Sequence, residues 1–310
     1  MNRKIVSITL NPSIDVTLWT DRLSIDDVNR VVRENREAGG KGINVSRVAK
    51  AFGAETICIG LLGRDNSREF LGLLQDEGLA CRHIEIDGAV RENLTVRYKD
   101  YTLKINRKGP AAPEDVLDRL YSLIESCINP GDIAVFAGSI PENIPVEGYM
   151  DLILRIKGLG ALIAIDSDIF SFEQYGRLSP WLIKPNIHEL RNILKLSGEA
   201  VNDIKDAAGR LCENGVENVL VSLGGNGLVY CSKEVSLRVS VPKVDVKSTV
   251  GAGDSVLAGF AAAYVKGGDN MECVRLAAAC GTASVLRDGT GLAEPVVVHE
   301  IMEQVKAVEF

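Results

Sequence analysis

Val250-Gly251-Ala252-Gly253-Asp254-Ser255 opens a run of small and apolar residues, Val256 to Tyr264, and of all stretches in this 310-residue chain it is best suited to chemistry on an anion. Glycines at 251 and 253 let the backbone turn tightly and expose successive N–H groups. The run behind them predicts a helix, whose N-terminus offers unpaired donors and the positive end of the macrodipole to a phosphate. Asp254 does not suit phosphate binding, because a carboxylate repels an anion. Two readings of it stand: work on a proton beside the phosphate, or an ordinary helix cap.

Other groups acquire meaning in its company. The β-branched run Ile5 to Leu10 predicts a buried strand stopped by Asn11-Pro12-Ser13, with Asp15 just beyond its end. Ligands of open α/β sheets bind past the carboxyl ends of strands, where a carboxylate can accept hydrogen bonds from a polyol; a turn-forming Asp is the alternative. Gly39, Gly40 and Gly42 flank Lys41 ahead of a helical pattern with apolar residues at 45, 48, 49 and 52 and Gly53 at its end, so backbone can approach a ligand closely there. This is not a P-loop, since Asn35 and Gly42 stand where a glycine and a Ser or Thr are needed. Gly138-Ser139 follows the apolar run Ile133 to Phe136, a pattern that a plain turn also explains. Lys184-Pro185-Asn186 follows another apolar run, with Glu189 one turn into the next helix; an Asn and a Glu converging there could hold waters around Mg²⁺. Ser222-Leu223-Gly224-Gly225-Asn226-Gly227 either faces a nucleotide with its amides or is a simple hairpin turn. His188-Glu189 lacks the second histidine of a zinc protease, position 192 being Asn, and a dinucleotide fingerprint fails at Val256.

The elements that must position these residues alternate. The pattern predicts strand 56–61, helices 67–77 and 114–126, strand 132–137, helix 146–157, and strands 161–166 and 181–184. Helices 188–196 and 203–214, strands 218–223 and 228–231, and helices 254–265 and 271–286 follow. Such alternation implies an α/β fold with a mostly parallel sheet covered on both faces. Two polar, strand-like stretches, Val16 to Arg36 and Glu92 to Arg107, are expected to pair as a small sheet over a cleft. The chain reads as one domain, 1–310, with that lid inserted at about 12–38 and 88–109. A 46% hydrophobic content can fill a sizeable core, and a net charge of −7 with scattered cations argues against nucleic-acid or membrane surfaces, leaving a small-molecule partner. Seven cysteines without a CxxC pair read as reduced core residues, and the lack of a signal peptide or an apolar run of ~18 residues leads to the expectation of a cytoplasmic protein.

Taken together, Thr9 to Asp15, Gly39 to Arg47, Gly63-Arg64-Asp65-Asn66, Ala137 to Pro141, Lys184-Pro185-Asn186 with Glu189, and Gly251 to Ser255 resemble the ribokinase-like phosphofructokinase B family of sugar kinases, and most nearly its 1-phosphofructokinases, with tagatose-6-phosphate kinases next. The resemblance covers nearly the whole chain. It implies a three-layer core with a small β-sheet lid, and transfer of the ATP γ-phosphoryl to a ketohexose monophosphate, fructose 1-phosphate first and tagatose 6-phosphate second. By it, Asp254 is the general base and the amides of Gly251, Ala252 and Gly253 form an anion hole. Lys184, Asn186, Ser222, Gly224 and Gly227 would bind ATP, and Asn186 and Glu189 would hold Mg²⁺ through water. Asp15, Gly39, Gly40, Lys41 and Asn44 would bind the sugar, and Arg91, Asn93 and Ser139 its phosphate, with Arg30 and Lys41 as further cations. Two positions depart from the pattern: Lys104, where the family carries an acidic residue, and Val90, where it carries Thr. Rival readings are a silent sugar-phosphate sensor and a kinase of unphosphorylated sugars. The edge of the lid leads to the expectation of a homodimer through it.

Overall fold

The computed structural model describes residues 3–99, 101–195, 201–287 and 293–310. In chain order it begins with strands β1 (Ile5–Thr9), β2 (Ser13–Thr20) and β3 (Val31–Gly39), helix α1 (Lys41–Ala51), β4 (Thr56–Gly63), α2 (Ser67–Asp76) and β5 (Cys81–Ile86). Then come β6 (Arg91–Tyr98), β7 (Tyr101–Asn106), α3 (Val116–Glu125), β8 (Ile133–Ala137), α4 (Val146–Gly158), β9 (Leu162–Asp166), α5 (Phe172–Leu178) and β10 (Leu182–Ile183). The remainder is α6 (Ile187–Leu194), α7 (Val201–Glu213), β11 (Asn218–Ser222), β12 (Leu228–Ser232), β13 (Ser236–Ser240), α8 (Ala252–Val265), α9 (Asn270–Ser284), α10 (Pro295–Met302) and β14 (Lys306–Glu309).

The large sheet runs β14-β13-β12-β11-β10-β9-β8-β1-β4-β5, parallel from β11 to β5 and antiparallel from β11 to β14. Every residue of β1 and β8 is buried, as expected of central parallel strands covered on both faces. Alternate side chains of one strand serve different layers. Val6 and Ile8 pack with α3 to α7, whereas Ile5 packs with α1, α8, α9 and α10, giving three layers, α/β/α.

A separate four-stranded sheet, β3-β2-β6-β7, is built from the two polar stretches. Its attachment is apolar: Ile14, Val16, Ala38 and Val90 pack with Phe70 and Leu74 of α2 and with Cys58 and Leu62 of β4. Strand pairing puts Asp15, Asn93 and Asn106 on one face of this sheet, with Thr95 and Lys104 one pair further out, and the opposite face carries Ile14, Val16, Leu94 and Ile105. Lys104 therefore shares a face with Asp15, exposed on β7.

Several elements lie outside the sequence expectation. β5 alternates, with Ile84 and Ile86 buried and Arg82 and Glu85 exposed, as suits an edge strand beside β4. β13, β14 and the short helices α5 and α10 also escape a reading based on long apolar runs, since β13, α5 and α10 bury only two residues each and β14 buries none. The helix expected over 188–196 is observed to Leu194, and Leu196 lies outside the described residues.

Candidate active site

Parallel pairing aligns the carboxyl ends of β1, β8, β9, β10 and β11 on one edge, so residues distant in sequence converge there. The first turns of α1 and α8 open onto the same place. Gly251, in the left-handed region at φ 75°, caps α8, so Ala252, Gly253 and Asp254 occupy its first turn. The capping reading of Asp254 does not hold, because no side chain caps α8. Its carboxylate is buried instead, and Asn44 Nδ2 donates a 2.8 Å hydrogen bond to its Oδ2. Arg47 Nη1 donates to Asn44 Oδ1 at 2.8 Å, which fixes the amide with its donor toward Asp254.

Burial and then the charge of Asp166 push the Asp254 carboxyl up to about 6, against the pull of Asn44, Lys41 and Lys184. Asp166, at the end of β9, is itself buried between two ammonium groups: Lys41 Nζ lies 3.2 Å from its Oδ1 and Lys184 Nζ 3.4 Å from its Oδ2. The Oδ2 contact lacks hydrogen-bond geometry, so it is one of charge alone. Burial disfavours the Lys41 ammonium most, yet Asp166 and Asp254 together raise its pKa. Gly253 lets this cluster approach closely, because a Cβ there would stand 3.0 Å from Lys184 Nζ and push it aside.

On the small-sheet side, Ser13 Oγ and Asn93 Nδ2 both donate to Asp15 Oδ1, at 2.8 and 2.9 Å. A Cβ on Gly39 would fall 2.2 Å from Asp15 Oδ2, so only glycine leaves room for that carboxylate. Arg91 is paired in register with Ser13, and burial lowers its pKa while Asp15 raises it. Arg91, Ser139 and Asn11 line a cavity of about 420 Å³ together with Arg107 and Lys108. Arg91 Nε and Asn11 Oδ1 are buried there without hydrogen-bond partners among the described residues, as is Asn93 Oδ1 beside Asp15, the signature of a surface suited to a polar ligand. Asn11 Nδ2 donates to Ser139 Oγ at 3.1 Å. Arg30 stands exposed in the connection between β2 and β3 and makes no hydrogen bond or ion pair among the described residues.

A second cavity, about 480 Å³, lies on the other side of the α8 N-terminus, bounded by Ser222, Gly224, Gly227, Ala252 and Gly253 and by apolar groups such as Val241, Val246 and Val285. The glycine segment is both a hairpin turn joining antiparallel β11 and β12 and a wall of this cavity. Asn186 caps α6: its Oδ1 accepts from the amides of His188 and Glu189, and Glu189 Oε2 accepts from the amide of Asn186. Among the described residues no cluster of three or more metal-ligating side chains exists, and the Asn186 oxygen is committed to the cap. Direct coordination by that oxygen does not fit; contact through water, which Mg²⁺ retains, does.

Asp166, Asn11, Arg107 and Lys108 were not singled out from the sequence. Asp166 carried the signal that marked Asp15, a carboxylate at the end of an apolar run, here Leu162 to Ile165. Arg107 and Lys108 had no signal beyond charge.

A glycine-opened helix start with a buried carboxylate, bordering an apolar cavity at Ala252 and Gly253, suits a phosphotransferase with an alcohol as acceptor. The chain belongs to the pfkB family of carbohydrate kinases, whose model it matches over residues 2–296, and ATP is the phosphoryl donor. It is 30% identical to the 1-phosphofructokinase of Vibrio cholerae over 99% of this chain and 97% of that one. It is likewise 30% identical to a tagatose-6-phosphate kinase of Staphylococcus epidermidis, over 98% and 99% of the two chains. Phosphofructokinase-2 from Escherichia coli, solved in complex with substrates and products, superposes with a TM-score of 0.91 at 27% identity, over 97% of this chain and 99% of that one.

Proposed function

We propose that the chain transfers the γ-phosphoryl of ATP to a ketohexose monophosphate, fructose 1-phosphate at its 6-hydroxyl, giving the bisphosphate. The observation that carries this reading is the hydrogen-bonded, buried Asp254 at a glycine-opened helix start, with a cationic, partly unsatisfied cleft on one side and an apolar cavity on the other. In this reading the sugar lies between Asp15 and Asp254, with its phosphate toward Arg91, Asn93 and Ser139 and its free hydroxyl toward Asp254. Gly39, Gly40, Lys41 and Asn44 complete the sugar site. Adenine occupies the apolar cavity, and its phosphates run past Ser222, Gly224, Gly227, Asn186 and Lys184 to the amides of Gly251, Ala252 and Gly253. The acceptor oxygen then attacks the γ-phosphorus as Asp254 takes its proton, and the bond to the β-phosphate oxygen breaks, releasing ADP. Lys41, Lys184 and the loop amides balance the charge on the migrating group without reorganising. When bound, Mg²⁺ would neutralise phosphate charge, held through water near Asn186 and Glu189.

A tagatose 6-phosphate kinase is the second reading, favoured by the equally similar relative of that name. It places the substrate's phosphate at the other end of the sugar, and Lys104, on the face of Asp15, is the residue that distinguishes this lid. A silent sensor has no use for a carboxylate so raised and oriented, and an unphosphorylated sugar has none for Arg91. ADP release measured across fructose 1-phosphate, fructose 6-phosphate, tagatose 6-phosphate and the free sugars tests the reading. Turnover of a free sugar above all phosphosugars would overturn it.

We also infer a homodimer through the small sheet acting as a lid. Exposed large apolar side chains concentrate there, Ile25, Val28, Val31, Val32, Tyr101, Leu103 and Ile105, and β3 and β7 are open edges.

A further inference from the structure

We propose that Asp166 is a positioning residue: held between Lys41 and Lys184, it fixes two cations at the phosphoryl path and sets the charge that the base Asp254 works against. The inference rests on the kinase reading above and adds to it a residue that binds neither sugar nor nucleotide.

The geometry is specific. Asp166 and Lys184 are both almost fully buried, with side chains 2% and 4% exposed, whereas Lys41 is 39% exposed. A buried ammonium needs a counter-charge, and two neighbouring ammonium groups need one all the more, because each repels the other. One carboxylate at the rigid end of β9 serves both. It does so without consuming their donors, because the Lys184 contact is not a hydrogen bond and Lys41 gives one N–H of three. The remaining donors stay directed at whatever anion enters beside Gly253, against which Lys184 Nζ already rests. Free lysines would instead pair with Asp254 or turn to solvent, and the loop would receive phosphate with its cations misplaced.

The same carboxylate acts on the base. The charged groups bearing on Asp254 come from three elements: Lys41 from α1, Asp166 from the end of β9 and Lys184 from beyond β10. Asp166 raises the proton affinity of Asp254 and the two lysines lower it. Removing the anion and removing a cation should therefore move the acid limb of the pH–rate profile in opposite directions, a signature that loss of fold or of packing does not produce.

The experiment compares wild type, Asp166→Asn and Lys41→Met by kcat/KM against pH, using whichever acceptor the substrate panel shows to be turned over. Asp166→Asn is expected to lower kcat on the order of 10²-fold through misplaced cations, and to shift the acid limb down by about one pH unit. Lys41→Met, at a position 39% exposed, is expected to shift the limb upward. If Asp166→Asn does not fold, Asp166→Glu decides: it keeps the charge near Asp254 and displaces the cations, so the acid limb is expected to stay and kcat to fall, and a kcat within twofold of wild type overturns the proposal. An acid limb unmoved in whichever of Asp166→Asn and Lys41→Met folds, or kcat within twofold of wild type in Asp166→Asn, overturns the role of Asp166. A wild type that turns over only free sugars overturns the substrate reading and leaves this comparison intact.

Discussion

A carboxylate at the third position of a helix ordinarily reaches back to an orphan amide of its own first turn, worth about 1 kcal/mol. Asp254 accepts from Asn44 instead, so it occupies neither the Gly251 nor the Gly253 amide, while Ala252 N–H donates to Thr249 O at 3.4 Å, and the carboxyl stays buried and raised. Replacing Asp254 by Asn is expected to lower kcat by about 10²–10⁴-fold while sugar binding, read by calorimetry, persists; near-normal turnover would remove Asp254 from the mechanism. In the proposed role of base Asp254 works only ionised, so activity should fall as pH drops below about 6. Stability runs the other way. A carboxyl whose folded value, about 6, exceeds its ordinary 3.8 stabilises the protein below pH ~4 and loses that contribution as pH rises through 6. Asp254→Asn should consequently melt at a higher temperature than wild type at pH 8 and show no such gain at pH 4. Arg91→Ala should raise KM for the phosphosugar by an order of magnitude or more, since a charge-assisted contact is worth about 1.5–3 kcal/mol, and leave KM for ATP unchanged; equal losses for both substrates would refute its assignment to phosphate.

At the level of elements, the small-residue composition of α8 has a packing cause. Residues 254 to 263 are all buried, and a Cβ on Gly259 would meet Leu276 O at 2.9 Å and Ala277 Cα at 3.0 Å on α9. The close crossing ties α8, whose N-terminus carries the proposed phosphate loop, to α9. Gly259→Val would gain a few tenths of a kcal/mol in helix propensity, but overpacking costs about 1–3 kcal/mol, so the clash wins. A lower denaturant midpoint is expected, and an unchanged one would show that the two helices can separate freely. The small sheet has the converse construction. Asp15 and Asn93 lie on one face and Ile14 and Val16 on the other, so the same strands anchor it to α2 and present polar groups to the cleft.

For the whole molecule, the open question is what covers the apolar half of that sheet. Val31, Val32, Leu103 and Ile105 lie on its two edge strands, and in the proposed dimer they meet the same strands of a second copy. Sedimentation at micromolar concentration should give a dimer, and Leu103→Glu with Ile105→Glu should give a monomer with a weakened KM for sugar. A monomeric wild type would end the proposal. Among the described residues no helix is long and apolar enough to cross a membrane.

Most of this architecture was legible in the chain itself, because its determinants are local. Continuous β-branched runs such as Ile5 to Leu10, glycine-terminated amphipathic helices such as α1, and the position of Lys184 and Asp254 at element ends all follow from neighbours in sequence, whereas Asp15, expected in a loop past β1, lies within β2 because β3 and β6 pair with it there. What was not legible depended on pairing between distant segments. Strands as short as β13 and β14 exist only because a neighbour offers each an edge, β12 to β13 and β13 to β14. Whether Asp254 caps its helix or faces a partner was undetermined until α1 brought Asn44 to it across 210 residues. Asp166 looked like the end of a strand. Only the parallel sheet, by setting the ends of β9 and β10 beside the start of α1, surrounded it with two lysines, since burial and charge are properties of a place that no single segment contains.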